Sequence, residues 1–300
     1  QVLAAGWRED PGTLPLLRER ACTDESWKVK QAAVQALVSG WRGNPEVLPF
    51  LREYASTEPH EDAQGFAVLA LAAGWREDPG TLSLLRECAT TSLVWLIRSA
   101  AVRQLAAGWR DDAGTLPLLR ESAIADPDGD TREAAVRALA SRWPEDPGTL
   151  SLLRERAVTD EHPTVRRAAI QALAAGWRDD DGTLPLLRDS AIAGPDGETR
   201  EAAVRALASG WPEDPGTLSL LRDRVVTDEH VAVRRMAVRA LAAGWRDDAA
   251  TLSLLQERAV TDPDERVQEA AMQALAARWR ADTQRRAAIS ASDDGMLESG

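Results

Sequence analysis

The sequence predicts an all-α solenoid of about eight two-helix repeats, each 34 residues long. Three observations predict it. Tryptophan recurs at a strict 34-residue interval, as Trp7, Trp41, Trp75, Trp109, Trp143, Trp177, Trp211, Trp245 and Trp279, and only Trp27 and Trp95 fall outside the series. A fixed period in this range marks units that bury their apolar faces against their neighbours. Alanine, leucine and arginine dominate while tyrosine occurs once, a helix-forming composition. Residues 114–181 and 182–249 are nearly the same 68-residue block, so the array reads as the duplication of a two-repeat unit.

Residues 149–182 show one unit. A helix is expected to start with Thr149 as its N-cap. Sister repeats place Pro15, Pro117 and Pro185 two positions after the matching threonine, and proline is tolerated only in a first helical turn. Leu150, Leu152, Leu153 and Ala157 form the apolar stripe of this first helix, about ten residues long. A turn follows at Thr159-Asp160-Glu161-His162. The second helix runs from Pro163 to Ala175, with Val165, Ala169, Ile170 and Leu173 on its buried face. Gly176 is expected to close it in a left-handed conformation, with Trp177 folding back as a plug between stacked units. The loop RDDDG, or REDPG elsewhere, breaks the chain before the next threonine.

The turn aspartate followed five residues later by Val-Arg, then alanine, then leucine, resembles the HEAT repeat. Asp160 with Val165-Arg166 and Asp228 with Val233-Arg234 carry the pattern, and Asp24 with Lys30 and Asp126 with Arg132 carry it with small changes. The resemblance covers nearly the whole chain and implies a right-handed superhelix in which these residues bond between adjacent repeats. Glu58, Ser92 and Gly194 replace the aspartate in other units, so the ladder is expected to be interrupted there. The tetratricopeptide and ankyrin signatures do not fit. The near-identical blocks also resemble the repeat tails of bacterial NACHT- and STAND-type signalling NTPases, which implies a ligand-sensing role beside an NTPase part. The phosphate-binding loop of such an NTPase, GxxxxGK[ST], does not occur here.

The expected organisation is a solenoid over residues 1–283, beginning inside a repeat as a fragment of a longer chain, then a frayed helix and disordered tail over 284–300. Residues 54–100 depart most from the repeat pattern, with Phe66 in place of an alanine. A formal net charge of −12 disfavours nucleic acid and anionic membranes as partners. No apolar run approaches the roughly 18 residues of a membrane span. Cys22 and Cys88 form no motif and fit a reducing, cytoplasmic compartment.

No residue pattern supports catalysis, a cofactor or a metal. His60, His162 and His230 stand in inter-helix turns beside acids, where solvated side chains are the rule. Asp126, Asp128 and Asp130 lack the further ligands of a calcium loop and read as a capped polar turn. Two patterns point to partner binding instead. Arg103, Arg137, Arg205 and Arg239 share one exposed position on the second helix, forming either a binding stripe or a solvated face with intrahelical pairs to residues such as Glu133 and Glu201. Trp27 and Trp95 share another position, two repeats apart with Glu61 between them, where the sister units carry Gly129, Pro163, Gly197 and Val231. They serve either as exposed anchors for a partner or as plugs in the less regular region. The expected function is a non-enzymatic surface for a protein or peptide partner, the sensor part of a larger signalling protein. A free-standing scaffold is the first alternative, and a HEAT-type enzyme, a bilin lyase or a nucleic-acid repair protein, is the second.

Overall fold

The 34-residue pattern folds as a helix–turn–helix pair in every repeat. The computed structural model describes residues 9–297, and all regular structure among them is helical. The first helices of the pairs, here A helices, are α1 (Thr13–Thr23), α3 (Val47–Thr57), α5 (Pro79–Thr91), α7 (Thr115–Ala125), α9 (Pro147–Thr159), α11 (Thr183–Ala193), α13 (Pro215–Thr227) and α15 (Ala249–Thr261). The B helices are α2 (Trp27–Trp41), α4 (Glu61–Gly74), α6 (Trp95–Gly108), α8 (Gly129–Arg142), α10 (Pro163–Gly176), α12 (Gly197–Gly210), α14 (Val231–Gly244) and α16 (Glu265–Leu297). These make eight repeats of an α-solenoid. Trp7 and residues 298–300 of the expected tail lie outside the described residues.

The chain divides into two compact units, residues 1–153 and 154–300. In the first, each B helix packs on its own A helix, and α2, α4, α6 and α8 stack in succession. In the second, α10, α12, α14 and α16 do the same. Alanine makes this close B-on-B stacking feasible: Ala134, Ala135, Ala202, Ala203 and Ala237 are buried at the helix contacts. The apolar stripes read from the sequence are the core, with Leu153, Val165, Ala169, Ile170 and Leu173 wholly inaccessible to solvent. Each leucine or isoleucine buried this way contributes about 1.5–3 kcal/mol.

The start of the A helix differs from expectation. Thr149 is not an N-cap. It sits inside the first turn, buried, and Asp146 does the capping: Asp146 Oδ2 accepts from the Thr149 backbone N–H at 2.8 Å and from its hydroxyl at 3.0 Å. Asp78 and Asp214 cap Thr81 and Thr217 in the same way. The carboxylate reaches the first-turn donors, so the threonine hydroxyl becomes a donor to it. Pro79, Pro147 and Pro215 open these helices, where a missing N–H is harmless.

The end of the B helix differs too. No described glycine has a positive φ, so Gly176 is not a left-handed cap. It is the last helical residue, and Trp177 takes the C-cap with φ −130° and ψ 41°. The Trp177 backbone N–H donates to Leu173 O at 2.9 Å, and the same bond recurs at Trp75, Trp109, Trp143, Trp211 and Trp245. Arg142 and Arg278 replace the glycine in two repeats, which this right-handed geometry permits. The rings are less buried than plugs require. Trp41 is 9 % exposed, Trp75 to Trp245 are half-buried, and Trp279 in the last repeat is 71 % exposed.

Two ion-pair ladders tie repeats together. The first is the one implied by the HEAT resemblance. Arg98 grips Asp126 through two bonds of 2.8 Å, Arg200 grips Asp228, and Arg234 grips Asp262. The expected break at Glu58 does not occur, because the longer glutamate meets a lysine: Lys30 Nζ lies 2.6 Å from Glu58 Oε1. At Ser92 the ladder does stop, and Gln64 turns back to the carbonyl of Ala55. At Gly194 it is bypassed, because Arg166 pairs with Asp196 instead.

The second ladder was not foreseen. Arg52 pairs with Asp78, Arg86 with Asp112, Arg120 with Asp146, Arg154 with Asp180, Arg188 with Asp214 and Arg222 with Asp248. Each arginine of one A helix thus holds the carboxylate at the start of the next. The hydrogen bond from Arg120, with those from Thr149, holds the Asp146 carboxyl below its ordinary pKa against the opposing effect of burial. Arg188 and Thr217 do the same to Asp214. The signal was present as an arginine followed 26 residues later by aspartate. Asn44 breaks that spacing, and there Arg18 reaches Glu46 at 3.0 Å.

Candidate functional site

The position shared by Trp27, Glu61 and Trp95 is the first residue of a B helix, in α2, α4 and α6. The outcomes differ with the neighbour. Trp27 is half-buried because His60, at the start of the next B helix, stacks on it with ring centroids 6.0 Å apart and planes inclined by 26°. Glu61 is exposed in the first turn of α4. At Trp95 the residue in the place of His60 is Asp128, which has no ring to stack, and the indole stays 42 % exposed.

Trp95 borders a groove of about 680 Å³ formed by α6 and α8. Arg103 and Arg137 line the same groove, with Asp130, Glu133 and Arg142, over a floor of Ala106, Ala134 and Ala138. The small floor residues are the ones that let α6 and α8 approach closely, so the stacking itself leaves the long side chains standing on either side of a channel. Arg137 Nε donates to Glu133 Oε1 at 2.9 Å within α8. Arg103 donates to Ser99 Oγ at 3.2 Å. No described carboxylate pairs with Arg103 or Arg142. The groove therefore combines an accessible indole with uncompensated guanidinium groups.

The other stripe residues are not in this groove. Arg205 is exposed on α12 and pairs with Glu201 at 2.5 Å, and Arg239 is exposed on α14. Trp27 and Glu61 also stand apart from it. Three of the seven residues singled out from the sequence, Trp95, Arg103 and Arg137, are thus brought together; the contributions of Asp130 and Arg142 were missed, because they follow from the stagger of α6 against α8.

The remaining polar clusters are structural. Asp128 caps α8 through bonds from the backbone N–H of Asp130 and Thr131, while Asp126 is held by Arg98. His162 Nδ1 lies 2.7 Å from Thr164 Oγ1. Burial pushes the Cys88 thiol up to about 11. No described helix is long and apolar enough to cross a membrane.

Comparison with known proteins agrees with the repeat geometry. The HEAT repeats family matches residues 1–72, 55–140, 116–208 and 184–276. No curated protein matches the chain. Among solved structures, YibA of E. coli is similar over 79 % of this chain and 84 % of its own, at 19 % identity and a TM-score of 0.53. Kap121p bound to Nup53p is similar over 91 % of this chain at 16 % identity and a TM-score of 0.56, and the chain spans about a third of Kap121p (34 %). At these identities the likeness is one of fold. With the family matched over most of its length, the chain belongs to the HEAT-repeat proteins.

Proposed function

We propose that this chain is a non-enzymatic protein-interaction scaffold of a cytoplasmic protein, and that the α6–α8 groove is its partner site. The observation that carries the proposal is Trp95, a large apolar ring left open to solvent beside Arg103 and Arg142, with neither of which a described carboxylate pairs. Exposed tryptophan and arginine are the residues most enriched at binding hot spots. The groove fits an extended segment that places an apolar side chain on Trp95 and a carboxylate between the arginines. That Kap121p has been seen with Nup53p bound supports a protein partner for such a fold. The finer role, a sensor tail of a NACHT- or STAND-type signalling NTPase, rests on the resemblance of the duplicated blocks; an NTPase phosphate loop elsewhere in the parent chain would support it, and a parent chain without one would favour the free-standing scaffold.

The test is to isolate proteins retained by the immobilised chain from an extract of its native host, purify them, and titrate them against the wild type, Trp95→Ala and the Arg103→Glu, Arg142→Glu pair. Binding weakened roughly tenfold or more by both variants is expected from loss of a hot-spot residue. Equal affinity for all three chains would remove this groove as the site.

A further inference from the structure

The opposite, A-helix side carries a periodic feature that the ladders and the α6–α8 groove do not use. Position 20 of the repeat is an arginine in repeats 1, 5, 7 and 8: Arg20, Arg156, Arg224 and Arg258. Arg20 is exposed and reaches Asp24 at 3.7 Å, whereas Arg156, Arg224 and Arg258 lie mostly buried along the helix row. Each of these three pairs with the acid one residue before it, Glu155, Asp223 and Glu257. Arg156 and Arg224 also approach the turn carboxylates of Asp160 and Asp228, at 3.7 Å. Arg224 in addition points an Nη1 at the carbonyl oxygen of Ile192, at 3.5 Å in the last turn of the preceding A helix. Carbonyls in a last helical turn have no intrahelical partner and favour a cation.

In repeats 4 and 6 this arginine is a serine, Ser122 and Ser190. The space it would fill is open. Ser122 lines a groove of about 800 Å³ in the first unit, and Ser190 lines one of about 440 Å³ in the second. The acids remain: Glu121 and Asp189 line the two grooves, and no described cation pairs with either. Both serines are 7 % exposed, and no described residue hydrogen-bonds their hydroxyls. Thr90 and Val158 border the grooves at the position that Ile192 holds beside Arg224. Leu118 and Leu186 give each an apolar wall.

We infer that each groove is a receptor for an arginine side chain supplied by a partner protein, which takes the place that Arg156, Arg224 and Arg258 occupy in their own repeats. A planar guanidinium can meet a carboxylate and a helix-end carbonyl at once, which a lysine ammonium matches less well. The net charge of −12 favours such a cationic segment. Leu93, 98 % exposed at the first groove, provides an apolar neighbour for an aliphatic residue beside the arginine. The first groove also borders Asp126, but Arg98, which lines the same groove, already holds that carboxylate, so Glu121 is the open acid there as Asp189 is in the second. This inference involves other residues on the other helix layer and does not depend on Trp95.

The test is fluorescence anisotropy with a labelled peptide of alternating valine and arginine, and with the same peptide carrying citrulline for arginine. The wild type is expected to bind the arginine peptide saturably and the citrulline peptide roughly tenfold or more weakly, as loss of a charge-assisted hydrogen bond implies. Ser122→Arg fills the first groove with the residue that sister repeats already carry, so it should abolish binding there while leaving the melting temperature unchanged; Ser190→Arg should do the same at the second groove. Glu121→Gln with Asp189→Asn, which leaves the grooves open, should weaken both. Trp95→Ala should leave this binding intact, which separates a failure here from a failure of the α6–α8 site. Absence of binding, equal binding of the citrulline peptide, or full binding by the doubly filled Ser122→Arg, Ser190→Arg chain would overturn the inference.

Discussion

Arg200 of α12 holds Asp228 of the following repeat through two near-parallel hydrogen bonds, 2.9 Å from Nε and 3.0 Å from Nη2, while its remaining nitrogen donates to the carbonyl of Gly194 at 3.0 Å. Both side chains are buried, so their pairing is the condition on which either charge is tolerated there. Interactions of this type link repeat to repeat, and in a solenoid the stability of an array depends on such nearest-neighbour terms.

Arg200→Ala is therefore expected to destabilise the chain by about 3 kcal/mol, since it removes both direct bonds to the buried Asp228 carboxylate and leaves it only Arg224, at 3.7 Å. Arg188→Ala, in the more exposed second ladder, should cost about 1 kcal/mol or less. Urea unfolding of both variants measures the contrast. A smaller loss for Arg200→Ala than for Arg188→Ala would assign the inter-repeat coupling to the wrong ladder.

The second ladder should be felt in acid. Asp146 and Asp214 have folded-state pKa values below the ordinary aspartate value of about 3.9, held down first by Arg120 and Arg188. A depressed carboxylate contributes stability that is complete above the unfolded pKa and is lost as pH falls through the folded one. The melting temperature should accordingly hold steady above about pH 5 and fall steeply below about pH 4. Replacing Arg120 and Arg188 by glutamine should lower the plateau and flatten the acid slope, because the two aspartates then titrate closer to their unfolded value. An unchanged slope in that variant would show that other carboxylates govern acid unfolding.

The right-handed backbone of the B-helix ends makes a prediction opposite to the left-handed cap expected from sequence. A Cβ added at Gly176, Gly210 or Gly244 meets no atom within 4 Å. Gly176→Ala, Gly210→Ala and Gly244→Ala should each raise stability by about 0.4–1 kcal/mol through the loss of unfolded-chain entropy. Gly197 is the contrast, since a Cβ there would lie 2.3 Å from the His230 ring. Gly197→Ala should destabilise, and thermal unfolding of the four variants tests both signs. Destabilisation by Gly176→Ala would restore the left-handed cap.

The fold was legible because its determinants are periodic. One 34-residue interval places Leu153, Val165, Ile170 and Leu173 in the core, and the same stripe recurs in every unit. Errors arose where geometry within a turn decides. Both Asp146 and Thr149 are good caps by residue type, and only the backbone path shows that the carboxylate reaches the donors first. The glycine before each tryptophan resembled a cap signal, yet its φ is helical. The candidate site was half legible: repeat register brought out Trp95, Arg103 and Arg137 as residues at special positions, but register alone does not show that α6 and α8 place them on one groove. The serine-for-arginine exchange at Ser122 and Ser190 was visible in the sequence; its meaning required the open volume beside it.

The two tryptophans outside the series now separate. Trp27 lies against His60 and is half-buried, whereas Trp95 has no such ring above it and faces the α6–α8 groove. Trp95→Ala removes a ring that is 42 % exposed, the most open of Trp27, Trp41 and Trp95, so it should cost less stability than the other two while weakening partner binding. Trp27→Ala removes a stacked pair and should cost about 1–2 kcal/mol, because an aromatic pair is worth about 0.5–1.5 kcal/mol beyond its buried area. Trp41→Ala deletes a buried ring and should cost about 3–5 kcal/mol. Chemical denaturation ranks the three, and circular dichroism at low denaturant checks that Trp95→Ala keeps its helices. If Trp95→Ala proves as destabilising as Trp41→Ala, the indole is part of the core packing between repeats, and the groove loses the apolar anchor on which its assignment as a partner site depends.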